Sequence, residues 1–310
     1  MKKIVFVGSV DSSDEALKTL IKENIQIDLV CSLNPEKAIN VSDYCPIHQT
    51  AEKNNIPYLL FNNINDTEIV ENIRKVEPDY IFVIGLSQII KKELINIPKQ
   101  FVVGFHPTAL PHHRGRAAIP WQILLGEKES SITFFRIDQG MDSGDVLFCE
   151  KYSIEMSDYA SDVYRKVVEA MVIALKENIH NLLEGRIFPK PQIEKDSSYL
   201  LIRRPHDGLL DWGRATEYIL RIIRATSHPY PGAYSYIGEK KIIIYRAEKY
   251  ELKQCYIGYN GQIAEITDEG NLIILTVDGS IKVTEYILED AGRVSVGNRL
   301  IGAYDPGIHI

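Results

Sequence analysis

The stretch Gly104–Trp121, GFHPTALPHHRGRAAIPW, sets His106 directly after the apolar run FVVGF and surrounds it with prolines, arginines and two more histidines. An imidazole titrates near pH ~6.5 in water, so His106 can exchange a proton at neutral pH. Further along, DQGMDSGD carries Asp138, Asp142 and Asp145 in one glycine-rich loop. A carboxylate beside His106 would fix its tautomer and stabilise the imidazolium. A general base so equipped contributes roughly 10²–10⁴ in rate. Taken alone, the pattern has a plainer and commoner reading, in which His106 is a strand-end histidine and the aspartates form turns. His112 and His113 lack the partner spacing of a metal site, and no metal is expected.

Whatever these residues do, strands must deliver them. KKIVFVG, IDLVCSL, IPYLLF, DYIFVIG and FVVGFH read as short buried strands, with helical patterns at SSDEALKTLIKEN, IHQTAEKNN and DTEIVENIRKV between them. Such alternation predicts a Rossmann-like, mostly parallel α/β sheet with helices on both faces. Ligands then bind beyond the carboxyl ends of the strands, where His106 falls. SSITFFRID is a further strand and residues 158–184 a long helix. Residues 186–204 are proline-rich, charged and aperiodic. From Ala233 onward, short strands separated by turns such as DEGN and DGS predict a small antiparallel OB-like barrel. The expected division is a catalytic domain over 1–190, a linker and interdomain helix over 191–232, and the small β domain over 233–310.

The first strand is followed by GSVDSS, without the GxGxxG spacing that seats a dinucleotide, so NAD is not implied. Cys31, Cys45, Cys149 and Cys255 are widely spaced and read as free thiols. The apolar run at the N-terminus is too short for a signal peptide, and no stretch approaches a membrane span, so a cytoplasmic protein is expected. A net charge of −7 argues against nucleic acid as a partner.

The block HPTALPHHRGRAAIPWQILLGEKESSITFFRIDQGMDSGDVL closely resembles the active-site region of formyltransferases that use 10-formyltetrahydrofolate. There a strand ends in Asn-x-His, runs on through Leu-Pro and Arg-Gly, and the block closes with Asp-x-Gly-x-Asp-x-Gly-Asp. Segments GLSQIIKKELINIP, RRPHDGLLDW and IRATSHPYPGAYSYIGEKKIIIYRAE extend the likeness over almost the whole chain. The resemblance implies a formyl transfer to an amine, with His106 assisting proton transfer and Asp142 orienting it and relaying the proton. Leu86, Ser87, Ile90, Ile137 and Asp138 would border the folate donor. One position departs from the pattern: Gly104 stands where the family has asparagine. Losing an oxyanion donor costs roughly 2.7–4 kcal/mol of transition-state stabilisation. Gln88, at the neighbouring strand end, is the expected substitute.

The acceptor has two enzymatic readings. A methionyl-tRNA formyltransferase would carry a basic loop after the second strand, but CSLNPEKAINVSDYCPIHQT holds one lysine and no arginine. The loop looks closer to that of enzymes formylating amino sugars attached to nucleotides, a supply reaction for cell-surface polysaccharide. Arg114, Arg203 and Arg204, with Arg116 less central, would then meet the pyrophosphate through forked contacts. Trp121 and Trp212 read as packing. A folate-binding protein without transfer activity, suggested by Gly104, is the reading from another class. The C-terminal domain is left with shaping the acceptor pocket or making a homodimer contact.

Overall fold

The structure is a computed structural model that describes residues 2–39, 41–289 and 292–302. Its elements run β1 (Ile4–Gly8), α1 (Asp11–Lys22), β2 (Leu29–Leu33), α2 (His48–Lys53), β3 (Tyr58–Phe61), α3 (Thr67–Val76), β4 (Tyr80–Val83), α4 (Lys92–Ile95) and β5 (Phe101–His106). They continue with β6 (Arg114–Gly115), α5 (Ala118–Leu125), β7 (Glu129–Arg136), β8 (Val146–Ser153), α6 (Ala160–Leu183) and β9 (Tyr199–Leu200). The last are α7 (Thr216–Thr226), β10 (Ala233–Ile237), β11 (Lys240–Lys249), β12 (Ile263–Ile266), β13 (Leu272–Thr276) and β14 (Gly279–Leu288).

Seven strands form one sheet in the order β3-β2-β1-β4-β5-β7-β8. The first five are parallel, and β7 and β8 add antiparallel to β5. Strands β1, β2 and β4 are buried along their whole length, as a sheet covered on both faces requires. Alternate side chains divide between the faces. Ile81 and Val83 pack with Ile69, Val70 and Ile73 of α3. Tyr80 points the other way, and its hydroxyl donates to the Leu182 carbonyl of α6 at 3.1 Å.

Strand order reverses between β1 and β4, and the loops beyond that point are tied together. Ser13 Oγ accepts from the N–H groups of Ser9 and Val10 and donates to the Ile84 carbonyl at 2.6 Å. A small α1 residue thus ties the carboxyl ends of β1 and β4 together, next to β5.

The chain forms two compact units. One takes the chain to Ala118 with Glu129–Ser153 and Arg165–Leu201; the other takes Ile119–Lys128, Ile154–Tyr164 and the chain from Ile202. In the second unit, β10-β11-β14-β13-β12 is an antiparallel sheet. The apolar face of α7, including Ile219 and Ile223, packs with Ile242, Ile244, Leu272 and Ile281. Bridges from Ile301 to Tyr236 and from Arg299 to Gln262 set one segment against both sheet edges and bring the sheet toward closure. Trp212 is part of this core, its indole N–H donating to Ser235 Oγ at 3.0 Å.

The four thiols are free. Burial pushes Cys31 up to about 12 and Cys45 up to about 11, whereas Cys149 and Cys255 are exposed. Since the thiolate is the reactive form, native alkylation at pH ~8 is expected to modify Cys149 and Cys255 first. Cys31 should react only on unfolding, and mass mapping after a timed iodoacetamide pulse reads the order.

Candidate active site

His106 ends β5 with its side chain almost wholly buried, and its two nitrogens face different partners. Nε2 lies 2.9 Å from the His113 carbonyl oxygen. A carbonyl only accepts, so Nε2 carries a hydrogen, and in the neutral ring it is Nδ1 that holds the lone pair. Asp142 Oδ2 stands 3.8 Å from Nδ1, a distance that becomes an ion pair when Nδ1 takes a proton. The His113 carbonyl thus fixes the tautomer of the neutral ring, and Asp142 faces its other nitrogen.

Asp142 is itself held in place. Its backbone sits at φ +50, a left-handed conformation uncommon for residues other than glycine. Two bonds hold it there: Gly115 N–H donates to Oδ2 at 2.8 Å, and Gln192 Nε2 donates to the Asp142 carbonyl at 2.7 Å. Gly115 is required at this point. A Cβ there would meet the Leu200 carbonyl at 2.5 Å, where β6 pairs with β9, and the backbone φ is +108. Asp138 turns inward on its own loop, accepting from Gly140 N–H and Ser143 Oγ.

Arg114, expected to bind substrate, is fully buried and internally consumed. Its Nε and Nη2 donate to Gln192 Oε1, and its Nη1 donates to Glu194 at 2.9 Å and to Tyr199 Oη at 2.9 Å. The pairing holds the Glu194 carboxyl below its usual range. Arg114 is therefore an anchor and not a phosphate ligand. Through Gln192 it reaches the backbone of Asp142 and Gly144. Sequence reasoning missed Gln192, Glu194 and Tyr199 because they lie in the aperiodic 186–204 stretch, whose polar residues carry no spacing signal.

Gln88 does not replace the missing asparagine amide. Its Oε1 accepts from Ile64 N–H at 2.8 Å and its Nε2 donates to the Asn62 carbonyl at 2.9 Å, so both ends serve the loop after β3. The space beside Gly104 is filled instead. Gly104 pairs directly with Phe135 across β5 and β7. A Cβ on Gly104 would lie 2.8 Å from Ile137 and 2.9 Å from the Phe135 ring. An aromatic ring over a strand glycine is a stable cross-strand packing. Ile137 thus covers Gly104. Ile90 is buried in the core with Ile81 and Val83. Leu86 is half-buried and packs against the same core, while Ser87 is exposed.

In the second unit, Arg203 is half-buried, stacks over Trp121 with 5.2 Å to the ring centroid, and donates to the Asp207 carbonyl at 2.7 Å. Burial lowers its pKa. Among the described residues it makes no ion pair. Arg204 is exposed, its backbone N–H held by Asp207 Oδ2 at 2.6 Å. No group of three or more His, Cys, Asp or Glu side chains among the described residues could hold a metal ion. Among these residues, no helix is long and apolar enough to cross a membrane.

Residues 1–179 match the formyl transferase family and residues 203–302 its C-terminal domain. The chain belongs to the formyl transferase family. A methionyl-tRNA formyltransferase from Clostridium tetani is 31% identical over 281 residues, covering 90% of this chain and 89% of that protein. Among solved structures, HypX from Aquifex aeolicus in complex with tetrahydrofolic acid matches 93% of this chain with a TM-score of 0.69 at 21% identity. This chain spans only 44% of that one. An N-formyltransferase from Helicobacter canadensis, solved with folinic acid and dTDP-3-aminofucose, matches 91% of this chain and 99% of its own, with a TM-score of 0.65 at 21% identity. These likenesses below 25% identity speak for the shared formyltransferase fold. The family assignment makes this chain an N-formyltransferase enzyme.

Two variants test the local geometry. Gly104→Asn is expected to lose about 1–3 kcal/mol in urea denaturation through overpacking, and adding Phe135→Leu should recover part of it. Arg114→Met keeps most of the volume but strands Gln192 Oε1. A loss of about 1–3 kcal/mol is expected in the same measurement, with no selective rise in KM for a nucleotide substrate.

Proposed function

We propose that this enzyme transfers the formyl group of 10-formyltetrahydrofolate to the amine of a nucleotide-linked amino sugar. The observation that carries the acceptor class is the loop between β2 and α2. It holds one lysine and no arginine, and it is packed onto its own unit. Ala38, Val41 and Tyr44 join the core, Tyr44 Oη donates to the Leu33 carbonyl, and Cys45 N–H donates to the Ser9 carbonyl. A loop so pinned and so poor in positive charge offers little to the phosphates of an RNA, whose binding rests on lysine and arginine. Arg203, half-buried and without an ion pair among the described residues, is a guanidinium suited to take a phosphate.

The site has features that suit a folate. Ile89, on the loop after β4, and Met141, in the Asp142 loop, are large apolar side chains left mostly exposed. A bound ring would remove such surface from water. The donor supplies an activated formyl carbon and a departing nitrogen. The acceptor amine forms the new C–N bond as the donor's C–N bond breaks, and its proton passes to His106 Nδ1 and on to the departing nitrogen. Asp142 pairs with the imidazolium while the charge exists. The chain offers the formyl oxygen no side-chain amide from Gly104 or Gln88, so the imidazolium beside Asp142 carries more of the polarisation in this reading.

A second reading, methionyl-tRNA as acceptor, draws on the names of the curated relatives, several of which are methionyl-tRNA formyltransferases at 27–31% identity. The two separate in one assay. Incubation with 10-formyltetrahydrofolate and a panel of UDP-, dTDP- and GDP-linked amino sugars, with methionyl-tRNA alongside, is followed by product mass and tetrahydrofolate release. One formyl group gained on a nucleotide sugar is the expected outcome, and formylation of the tRNA alone would overturn it. His106→Asn and Asp142→Asn should each lower kcat by roughly 10²–10⁴.

A further inference from the structure

Resting on the reading of His106 as the proton-transfer group, we infer that Thr108 is a positioning residue that decides which nitrogen of His106 does the work. The loop from Pro107 to His113 folds around it, with Thr108 buried and Ala109 and His112 exposed. Thr108 is fully buried, and its hydroxyl is shared between the His112 carbonyl at 2.9 Å and the His113 carbonyl at 3.2 Å. The His113 carbonyl is the one that receives His106 Nε2–H. Two donors therefore converge on a single oxygen, one from the catalytic ring and one from a side chain two residues further along the chain.

The peptide carrying that oxygen needs external support. His113 sits at φ +61, a conformation unfavourable for a residue with a Cβ. Its N–H donates to Ser198 Oγ at 2.9 Å, which holds one side of the residue. Thr108 holds the carbonyl side. Thr108 is in turn fixed by Thr133 on β7, whose hydroxyl donates to the Thr108 carbonyl at 2.7 Å and accepts from Leu110 N–H at 3.3 Å. Thr133 lies directly opposite His106 in the β5–β7 pair. The loop is thus referenced to the same rung of the sheet as the histidine it orients.

The consequence is chemical as well as structural. With the His113 carbonyl held, the hydrogen of a neutral His106 stays on Nε2, and Nδ1 stays free on the side of Asp142. If the peptide turned away, Nε2–H would lose its acceptor. The hydrogen could then reside on Nδ1, pairing with Asp142 and leaving no base where the substrate proton must go. In the substituted Nδ1–H form, the ring points a donor at Asp142 and its lone pair into the loop.

The test is read on the unliganded protein, independently of which amine is the acceptor. Nitrogen-15 spectra of the His106 ring should show the Nε2–H tautomer in the wild type and a mixture with Nδ1–H in Thr108→Val. Thr108→Ser, which keeps the hydroxyl, should restore the wild-type pattern. On whichever acceptor proves active, Thr108→Val should lower kcat about 10–100-fold with KM for the formyl donor nearly unchanged, the scale of a misplaced catalytic group. Should the valine variant fail to fold, Thr108→Ala and the wild-type spectrum stand in its place. An Nδ1–H tautomer in the wild type would overturn the inference. So would an unchanged spectrum and unchanged kcat in the hydroxyl-less variants. A wrong acceptor class would leave the spectra as expected and show itself only in the product panel.

Discussion

The buried guanidinium of Arg114 is the interaction on which the site rests. A cation taken wholly out of water is tolerable only when its donors are met, and here Gln192, Glu194 and Tyr199 meet them. That demand draws residues 192–200 against β6 and brings β6 to β9. Gln192, once held by Arg114, has its amide nitrogen left for the carbonyls of Asp142 and Gly144. The left-handed turn that presents Asp142 to His106 is therefore upheld, through Gln192, by a buried charge. The Asp142 Oδ2 that faces His106 also accepts the Gly115 N–H, which fixes its direction.

His106 is placed by the sheet and tuned by its loop. Strand β5 carries it to the carboxyl edge, where the α/β fold opens toward ligands. The loop then closes back so that a backbone carbonyl, and not a carboxylate, holds Nε2. In a serine-protease-like triad a carboxylate fixes the imidazole tautomer; here a backbone carbonyl does so, and Asp142 faces the other nitrogen. With both polar partners of His106 supplied by loops, the sheet itself contributes position and burial.

Gly104 shows how a departure from a family pattern can be structurally complete. Removing a side chain from a strand leaves space, and Phe135 and Ile137 occupy it. The change is a repacking of the β5–β7 pair in which an apolar wall replaces an amide. Restoring asparagine alone would meet that wall. The formyl transferase fold accommodates this without loss of its architecture, consistent with the breadth of proteins that share it at low identity.

Much of the fold was legible in the chain because it follows from short-range rules. Apolar runs of five or six residues alternating with amphipathic helices dictate a parallel sheet, and the switch to turn-separated strands after residue 233 marks the antiparallel domain. The same one-dimensional reading found His106 at a strand end and Asp142 in a glycine-rich loop, since strand termini and turns have local signatures. It misread Arg114 and Gln88, because an exposed, substrate-facing polar side chain and a buried, internally satisfied one are spelled by the same letter. What separates them is a partner distant in the chain: Gln192 and Glu194 for Arg114, Asn62 and Ile64 for Gln88. The tautomer of His106 had no sequence signal at all, for its partner is a backbone carbonyl that every residue possesses. Sequence alone determined which elements form and which titratable groups stand at their ends. Tertiary structure decided which of those groups are consumed in holding the site together and which are left free for chemistry, because hydrogen-bond satisfaction is settled only when distant segments meet.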